Sequence, residues 1–153
     1  MYTVGNITNE SLIDLNLQIK SREDAISQLS MRLFHEKKIK SIYGFIHDVK
    51  KRERATSTYC GMSIAIPHAV SVSAIEPAFA FGRGNETPWK NAEEQIRFVF
   101  LMAIPPGSNR HIDILSSIAE LCLEKEIREL WAEAQDKEPV MASFASVINK
   151  YNS

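Results

Sequence analysis

Hydrophobic and polar positions change period several times along the chain, and each change marks an element. Ile13, Leu15 and Leu17 alternate with polar residues, the two-residue period of a short half-buried strand. Ser21-Arg22-Glu23-Asp24 has the form of a capping box, with an acid three positions after a hydroxyl cap. Ile26, Leu29, Leu33 and Phe34 then give the following helix an apolar stripe. A second helix is predicted from Ser41 to about Arg54. Its core face carries Ile42, Phe45, Ile46 and Val49, and its polar end is Lys50-Lys51-Arg52-Glu53-Arg54. Ala55 to Gly61 is small and hydroxyl-rich and reads as a loop, and Ser63 to His68 reads as a short buried strand whose end is fixed by Pro67.

Pro77 to Gly82 alternates around Phe79 and Phe81, and Ile96 to Ile104 is β-branched and aromatic enough for a central strand. Gly82-Arg83-Gly84-Asn85-Glu86, between them, reads as a turn. From Asn109 or His111 the pattern is helical through Ile112, Leu115, Ile118 and Cys122. Two more helices, at about 124–135 and 138–151, close the chain, with Pro139 placed in a first turn. Helices before, between and after a central cluster of strands predict an α/β fold, a mixed β-sheet flanked by α-helices. Both crossover-length and hairpin-length connections are present, which is why the sheet is expected to be mixed.

Composition narrows the classes of function. The 153 residues fit one domain, 1–153, and no repeat or low-complexity linker divides them. Lys plus Arg number 18 against 19 Asp plus Glu, a net charge of −1, which argues against the basic face that a large nucleic-acid footprint needs. The most apolar stretch, Phe98 to Ile104, is stopped by Pro105-Pro106 and falls far short of the roughly 20 residues of a membrane span. The N-terminus has neither a basic start nor an apolar run, so a cytoplasmic protein is expected, and the sequon at Asn6-Ile7-Thr8 carries no meaning without secretion. Cys60 and Cys122 make no metal motif and are expected to be two buried free thiols.

Four histidines could carry chemistry. His35 and His47 sit in charged helical contexts, the ordinary setting of a surface histidine. His68 follows a rigid apolar strand and lies where the chain is expected to leave the sheet, the kind of position that holds a side chain firmly and leaves it accessible. The competing reading is a partly buried histidine that only caps a strand. His111 opens a helix, where free N–H groups and the positive end of the dipole suit phosphate; alone it reads equally well as a loop histidine. Phosphate-loop, dinucleotide and serine-hydrolase signatures are absent. A zinc site of His68, His111 and Asp113 is disfavoured because no acid lies near His68 in sequence, so neither a metal nor a cofactor is expected.

From Arg52 to His68 the sequence becomes specific. Arg52-Glu53-x-x-x-Ser57-Thr58-x-x-Gly61-x-Ser63-Ile64-Ala65-Ile66-Pro67-His68 resembles the signature of the mannitol/fructose-type enzyme IIA domains of the bacterial phosphoenolpyruvate-dependent sugar phosphotransferase system. Asn109-Arg110-His111-Ile112-x-Ile114-Leu115 resembles the second histidine motif of that family, and the likeness covers essentially the whole chain.

The resemblance implies phosphoryl relay. The histidine of the Pro-His pair takes a phosphoryl group from phosphorylated HPr and passes it to the cysteine of a cognate IIB domain, which serves the membrane component IIC. Carried over by position, His68 is the phosphoacceptor, Arg52 the phosphate-binding cation and His111 the second active-site histidine, with Thr58 and Ser57 as secondary contacts of the site loop. Chemistry supports the assignment, because a neutral imidazole nitrogen is a nucleophile near pH 7 and a guanidinium forks onto phosphoryl oxygens where lysine offers a point charge. Arg54 is a competing phosphate ligand, and Ala69 stands where many relatives have glycine. The rival reading is a nitrogen-related regulatory paralogue, in which phosphorylation of the same histidine controls other proteins. A binding protein that kept the fold and lost the chemistry is a third, weighed down by the joint presence of His68, Arg52 and His111.

Overall fold

The computed structural model describes residues 7–109 and 111–152. A short 3-10 turn at Glu10–Leu12 leads into β1 (Ile13–Leu17), α1 (Arg22–His35) and α2 (Ile42–Ala55). The strands β2 (Tyr59–Gly61), β3 (Ile64–Ala65), β4 (His68–Val70), β5 (Ala78–Pro88) and β6 (Gln95–Ile104) follow. The helices α3 (His111–Cys122), α4 (Lys125–Glu133), α5 (Lys137–Ser143) and α6 (Ala145–Asn152) complete the chain. The strands form one six-stranded mixed sheet in the order β1-β5-β6-β3-β2, with β4 also pairing β6. β1 runs parallel to β5, β5 antiparallel to β6, and β3 and β4 parallel to β6.

The sheet is the middle of three layers, and the alternation of side chains along β6 builds both cores at once. Phe98, Phe100, Met102 and Ile104 point to the face covered by α3 to α6, while Val99, Leu101 and Ala103 point to the face covered by α1 and α2. The first core is aromatic: Phe79, Phe81, Phe100, Trp131 and Phe144 pack with ring centroids 4.9–6.1 Å apart. The second is lined by small residues, Ala65, Ala69, Ala78, Ala80 and Ala103, so α1 and α2 approach the sheet closely.

The capping expectation at Ser21 holds, since its Oγ accepts from the Asp24 N–H at 3.0 Å; the Asp24 carboxylate reaches back one residue further, to the Lys20 N–H. Ser41 caps α2 in the same way, on the Gly44 N–H. Phe34, expected in the apolar stripe of α1, is instead 41% exposed; Leu33 takes the core-facing place beside it.

Four other expectations are corrected. Gly82 to Glu86 is no turn but the interior of the long strand β5, and the reversal falls at Trp89 to Glu94. Gly84 is required there because a Cβ would stand 2.5 Å from the Leu17 carbonyl oxygen of the neighbouring strand. The expected loop at 55–61 contains β2, paired to β3 through a two-residue turn in which Met62 and Ser63 both adopt positive φ, at 55° and 63°. Such turns are normally announced by Asn-Gly, and none stands here. The last expected helix is two, α5 and α6, broken at Phe144, whose ring plugs the aromatic core. Finally, the strand expected over 63–68 is two strands interrupted at Ile66-Pro67. Proline has no N–H for the ladder, and β4 resumes beside β6 in the register β3 left. His68 therefore does not lie where the chain leaves the sheet; it opens β4, where the chain re-enters it.

Candidate active site

The break at Ile66-Pro67 determines what His68 can do. In a continuous strand the Ile66 carbonyl would join the ladder; here it accepts from the His68 ring, with Nδ1 2.9 Å from the carbonyl oxygen. A carbonyl oxygen only accepts, so Nδ1 carries the proton, and in the neutral ring the lone pair belongs to Nε2. Pro67 is itself buried, its carbonyl held by the Met102 N–H at 3.0 Å. The imidazole is thus carried on a rigid piece of sheet and is itself half-buried.

Arg52 comes from the last turn of α2, on the layer that covers this edge of the sheet. With Asp48, Lys51, Ala55, His68, Ala69 and Val70 it lines an open pocket of about 490 Å³. Its Nη1 donates to the Thr56 carbonyl at 2.9 Å, which ties the side chain to the end of its own helix and orients the guanidinium. Asp48, the acid of this pocket, accepts a 2.6 Å bond from the Ser71 hydroxyl, which fastens α2 to the segment after β4. The pocket therefore joins a histidine of fixed tautomer, an oriented arginine and a lysine, an arrangement suited to a small oxyanion. No group of three or more His, Cys, Asp or Glu side chains converges as a metal site would require among the described residues.

Other residues singled out by the sequence are placed differently. The backbone of His111 begins α3, and its side chain lies outside the described residues, as do Arg110 and Asn6. Ser57 and Thr58 do not line the pocket: the Ser57 hydroxyl donates to Glu94 Oε1 at 2.7 Å, and the Thr58 hydroxyl bonds the Glu53 carboxylate. Arg54 lines a separate hollow between α1 and α2, with Arg22, Glu23 and Lys50. His35 and His47 are exposed, His47 beside Asp48 at 3.4 Å.

Of the two cysteines one departs from expectation: Cys122 is buried, but Cys60 is exposed, its thiol donating to the Ile64 carbonyl at 3.4 Å. Interaction with Cys122 pulls the Cys60 thiol below its ordinary value, and interaction with Cys60, together with burial, pushes Cys122 up. Glu53, a position of the motif with no role assigned from the sequence, and Trp89, which lies outside it, are the site's further neighbours. Glu53 reads as one more charge in a basic helix end, yet it is only 2% exposed.

Comparison with known proteins places the chain in a family. The family described as phosphoenolpyruvate-dependent sugar phosphotransferase system, EIIA 2, matches residues 6–147. The mannitol-specific phosphotransferase enzyme IIA component of Bacillus subtilis is 31% identical over 147 residues, covering 88% of this chain and 94% of that protein. The fructose-specific EIIABC component of the same organism is 29% identical over 97% of this chain, which spans only 23% of its length. Among solved structures, the nitrogen regulatory protein IIA-Ntr of Neisseria meningitidis superposes with a TM-score of 0.83 at 24% identity, over 92% of this chain and 97% of its own, a likeness of fold. No helix among the described residues is long and apolar enough to cross a membrane. With a family match over most of its length and 31% identity to a mannitol-specific IIA component, the chain belongs to the mannitol/fructose-type enzyme IIA family of the phosphoenolpyruvate-dependent sugar phosphotransferase system.

Proposed function

We propose that this protein is a phosphocarrier, with His68 Nε2 as the atom that accepts the phosphoryl group from phosphorylated HPr and passes it to the cysteine of a cognate IIB component, and so indirectly to a membrane IIC. The observation that carries the reading is the bond between His68 Nδ1 and the Ile66 carbonyl, which reserves the lone pair of the neutral ring for Nε2. In the forward step that lone pair forms a new N–P bond while the donor's N–P bond breaks and leaves its electron pair on the donor nitrogen. No proton has to leave Nε2, and Nδ1 keeps its own on Ile66. In the second step the N–P bond to His68 breaks, the pair returns to Nε2, and the acceptor thiolate takes the phosphoryl group.

Catalysis of such a transfer is mostly positioning and charge stabilisation. Arg52 supplies a fork to the phosphoryl oxygens from the wall of the same pocket, and Lys51 adds a second positive charge at its rim. His111 is assigned the role of second active-site histidine on its motif, and Thr58 and Ser57 act indirectly, through the loop whose Thr56 carbonyl orients Arg52. A fructose-specific relative that is named for components A, B and C in one chain supports a IIB partner for this domain. The transport reading is favoured over the nitrogen-regulatory one by sequence identity, 31% with a mannitol-specific IIA component.

The test is incubation with enzyme I, HPr and phosphoenolpyruvate, followed by measurement of acid-labile phosphate. Wild type is expected to take up one phosphoryl group per chain and His68→Ala none; undiminished labelling of that variant contradicts the assignment. A panel of candidate IIB proteins then separates transport from regulation.

A further inference from the structure

Arg52 and Glu53 are neighbours on α2 that face opposite ways. Arg52 lines the pocket, whereas Glu53 turns inward, and three donors converge on its carboxylate. Oε2 accepts the Thr58 N–H at 3.1 Å and the Trp89 indole N–H at 3.2 Å, and Oε1 accepts the Thr58 hydroxyl. A buried carboxylate so fully supplied with donors holds its surroundings in one arrangement, since losing it would strand several buried polar groups.

What it holds leads to the histidine. The Thr58 carbonyl accepts the Ile66 N–H at 3.1 Å, and the carbonyl of Ile66 accepts His68 Nδ1. The Ile66 N–H is held by Thr58 and Thr58 by Glu53, so the residue whose carbonyl meets the imidazole is positioned through both. The same loop carries the Thr56 carbonyl that orients Arg52. A second set of bonds secures it from the far side: Trp89 N–H donates to the Glu94 carbonyl at 2.7 Å, and Glu94 Oε1 accepts the Ser57 hydroxyl.

We infer that Glu53 is a positioning residue for phosphoryl transfer, whose buried carboxylate fixes the Thr58–Ile66 relay that sets the tautomer and placement of His68. The inference rests on the phosphocarrier reading for its kinetic consequence, but its structural consequence is independent of any activity. It acts through hydrogen bonds and not through net charge. Glutamine can keep the two bonds at Oε2 with its amide oxygen and turn its NH₂ toward the Thr58 hydroxyl, which is able to accept.

The experiment uses the full chain and two readouts. The first is the ¹H–¹⁵N spectrum of the histidine side chains at a pH where the ring is neutral, which reports the His68 tautomer. The second is the rate of phosphorylation by phosphorylated HPr at saturating and limiting donor. Glu53→Ala is expected to give a mixed His68 tautomer and a rate at saturating donor lower by about 10- to 100-fold, the scale of a small misplacement of a reacting group, with KM little changed. Glu53→Gln is expected to keep the Nδ1–H tautomer and a rate within about threefold of wild type. If Glu53→Ala does not fold, Thr58→Val combined with Trp89→Phe removes two of the three donors and takes its place. A wild-type tautomer in the folded Ala variant, or in that double variant, overturns the inference whatever the rate, and so does a Gln variant as impaired as Ala. Failure of the phosphocarrier reading looks different: wild type itself takes up no phosphoryl group, while the tautomer comparison still decides the role of Glu53.

Discussion

Two of the hollows that arginines line, one beside β1 and β5 and one beside α2 and β4, use the same side chain for opposite ends. In the first, Arg83 of β5 donates from Nε to the Leu15 carbonyl and from Nη1 to the carbonyls of Trp131 and Ala134, at 3.0, 2.9 and 2.6 Å. Its guanidinium ties β1, β5 and the end of α4 together. Burial and the charge of Arg97, which shares the hollow, pull it below its ordinary value. In the second, Arg52 makes one described bond, to a carbonyl at the end of its own helix, and lines a pocket with a histidine whose tautomer is set. An arginine committed to backbone carbonyls is a clamp. An arginine held by one bond beside a histidine of set tautomer keeps donors to offer an anion. The two hollows are of similar size, about 390 and 490 Å³, so volume does not separate them and hydrogen-bond commitments do.

That contrast can be broken in two places. The larger effect on stability is expected at the clamp: Arg83→Ala strands carbonyls in two segments, β1 and the end of α4, and should cost about 2–4 kcal/mol. In a domain of this size that lowers Tm by roughly 5–15 °C, read by calorimetry, while the variant at 25 °C still labels at His68 to the same final extent. Loss of labelling in a folded Arg83 variant would join the two hollows functionally and defeat the comparison. The smaller effect on stability belongs to Arg52. Replacing it with alanine should leave Tm within about 2 °C, yet slow phosphorylation by about 100-fold, as expected for a lost donor to developing charge. Lysine should recover part of that rate and not all of it, because it keeps the charge and loses the fork. Equal rates for wild type and Arg52→Lys would remove bidentate contact from the account.

How much of this was legible in the sequence follows from where the information sits. Elements set by local period and capping, such as β1, α1, α2 and β6, stand close to where the pattern put them. Elements that depend on a distant neighbour do not. Gly82-Arg83-Gly84 has turn composition, but the glycines answer the approach of β1, about 65 residues earlier in the chain. β2 was hidden because Met62-Ser63 carries none of the usual chemistry of a turn with two positive φ values. In the site, His68 and Arg52 were marked by their ordered motif, and the structure sets them around one pocket. The acceptor of His68 Nδ1 is not legible in the sequence, because it exists only through the break between β3 and β4. The burial of Glu53 was hidden for a similar reason: one of its donors, Trp89, lies beyond the whole of β5.

The central claim is that the Ile66 carbonyl assigns the proton to Nδ1 and the reaction to Nε2. Its most direct measurement is the long-range ¹H–¹⁵N and ³¹P spectrum of the protein after phosphorylation by HPr. The account predicts a single phosphohistidine at position 68 with phosphorus coupled to Nε2 and the Nδ1 proton retained. Phosphorus on Nδ1, or on a histidine other than His68, would contradict it.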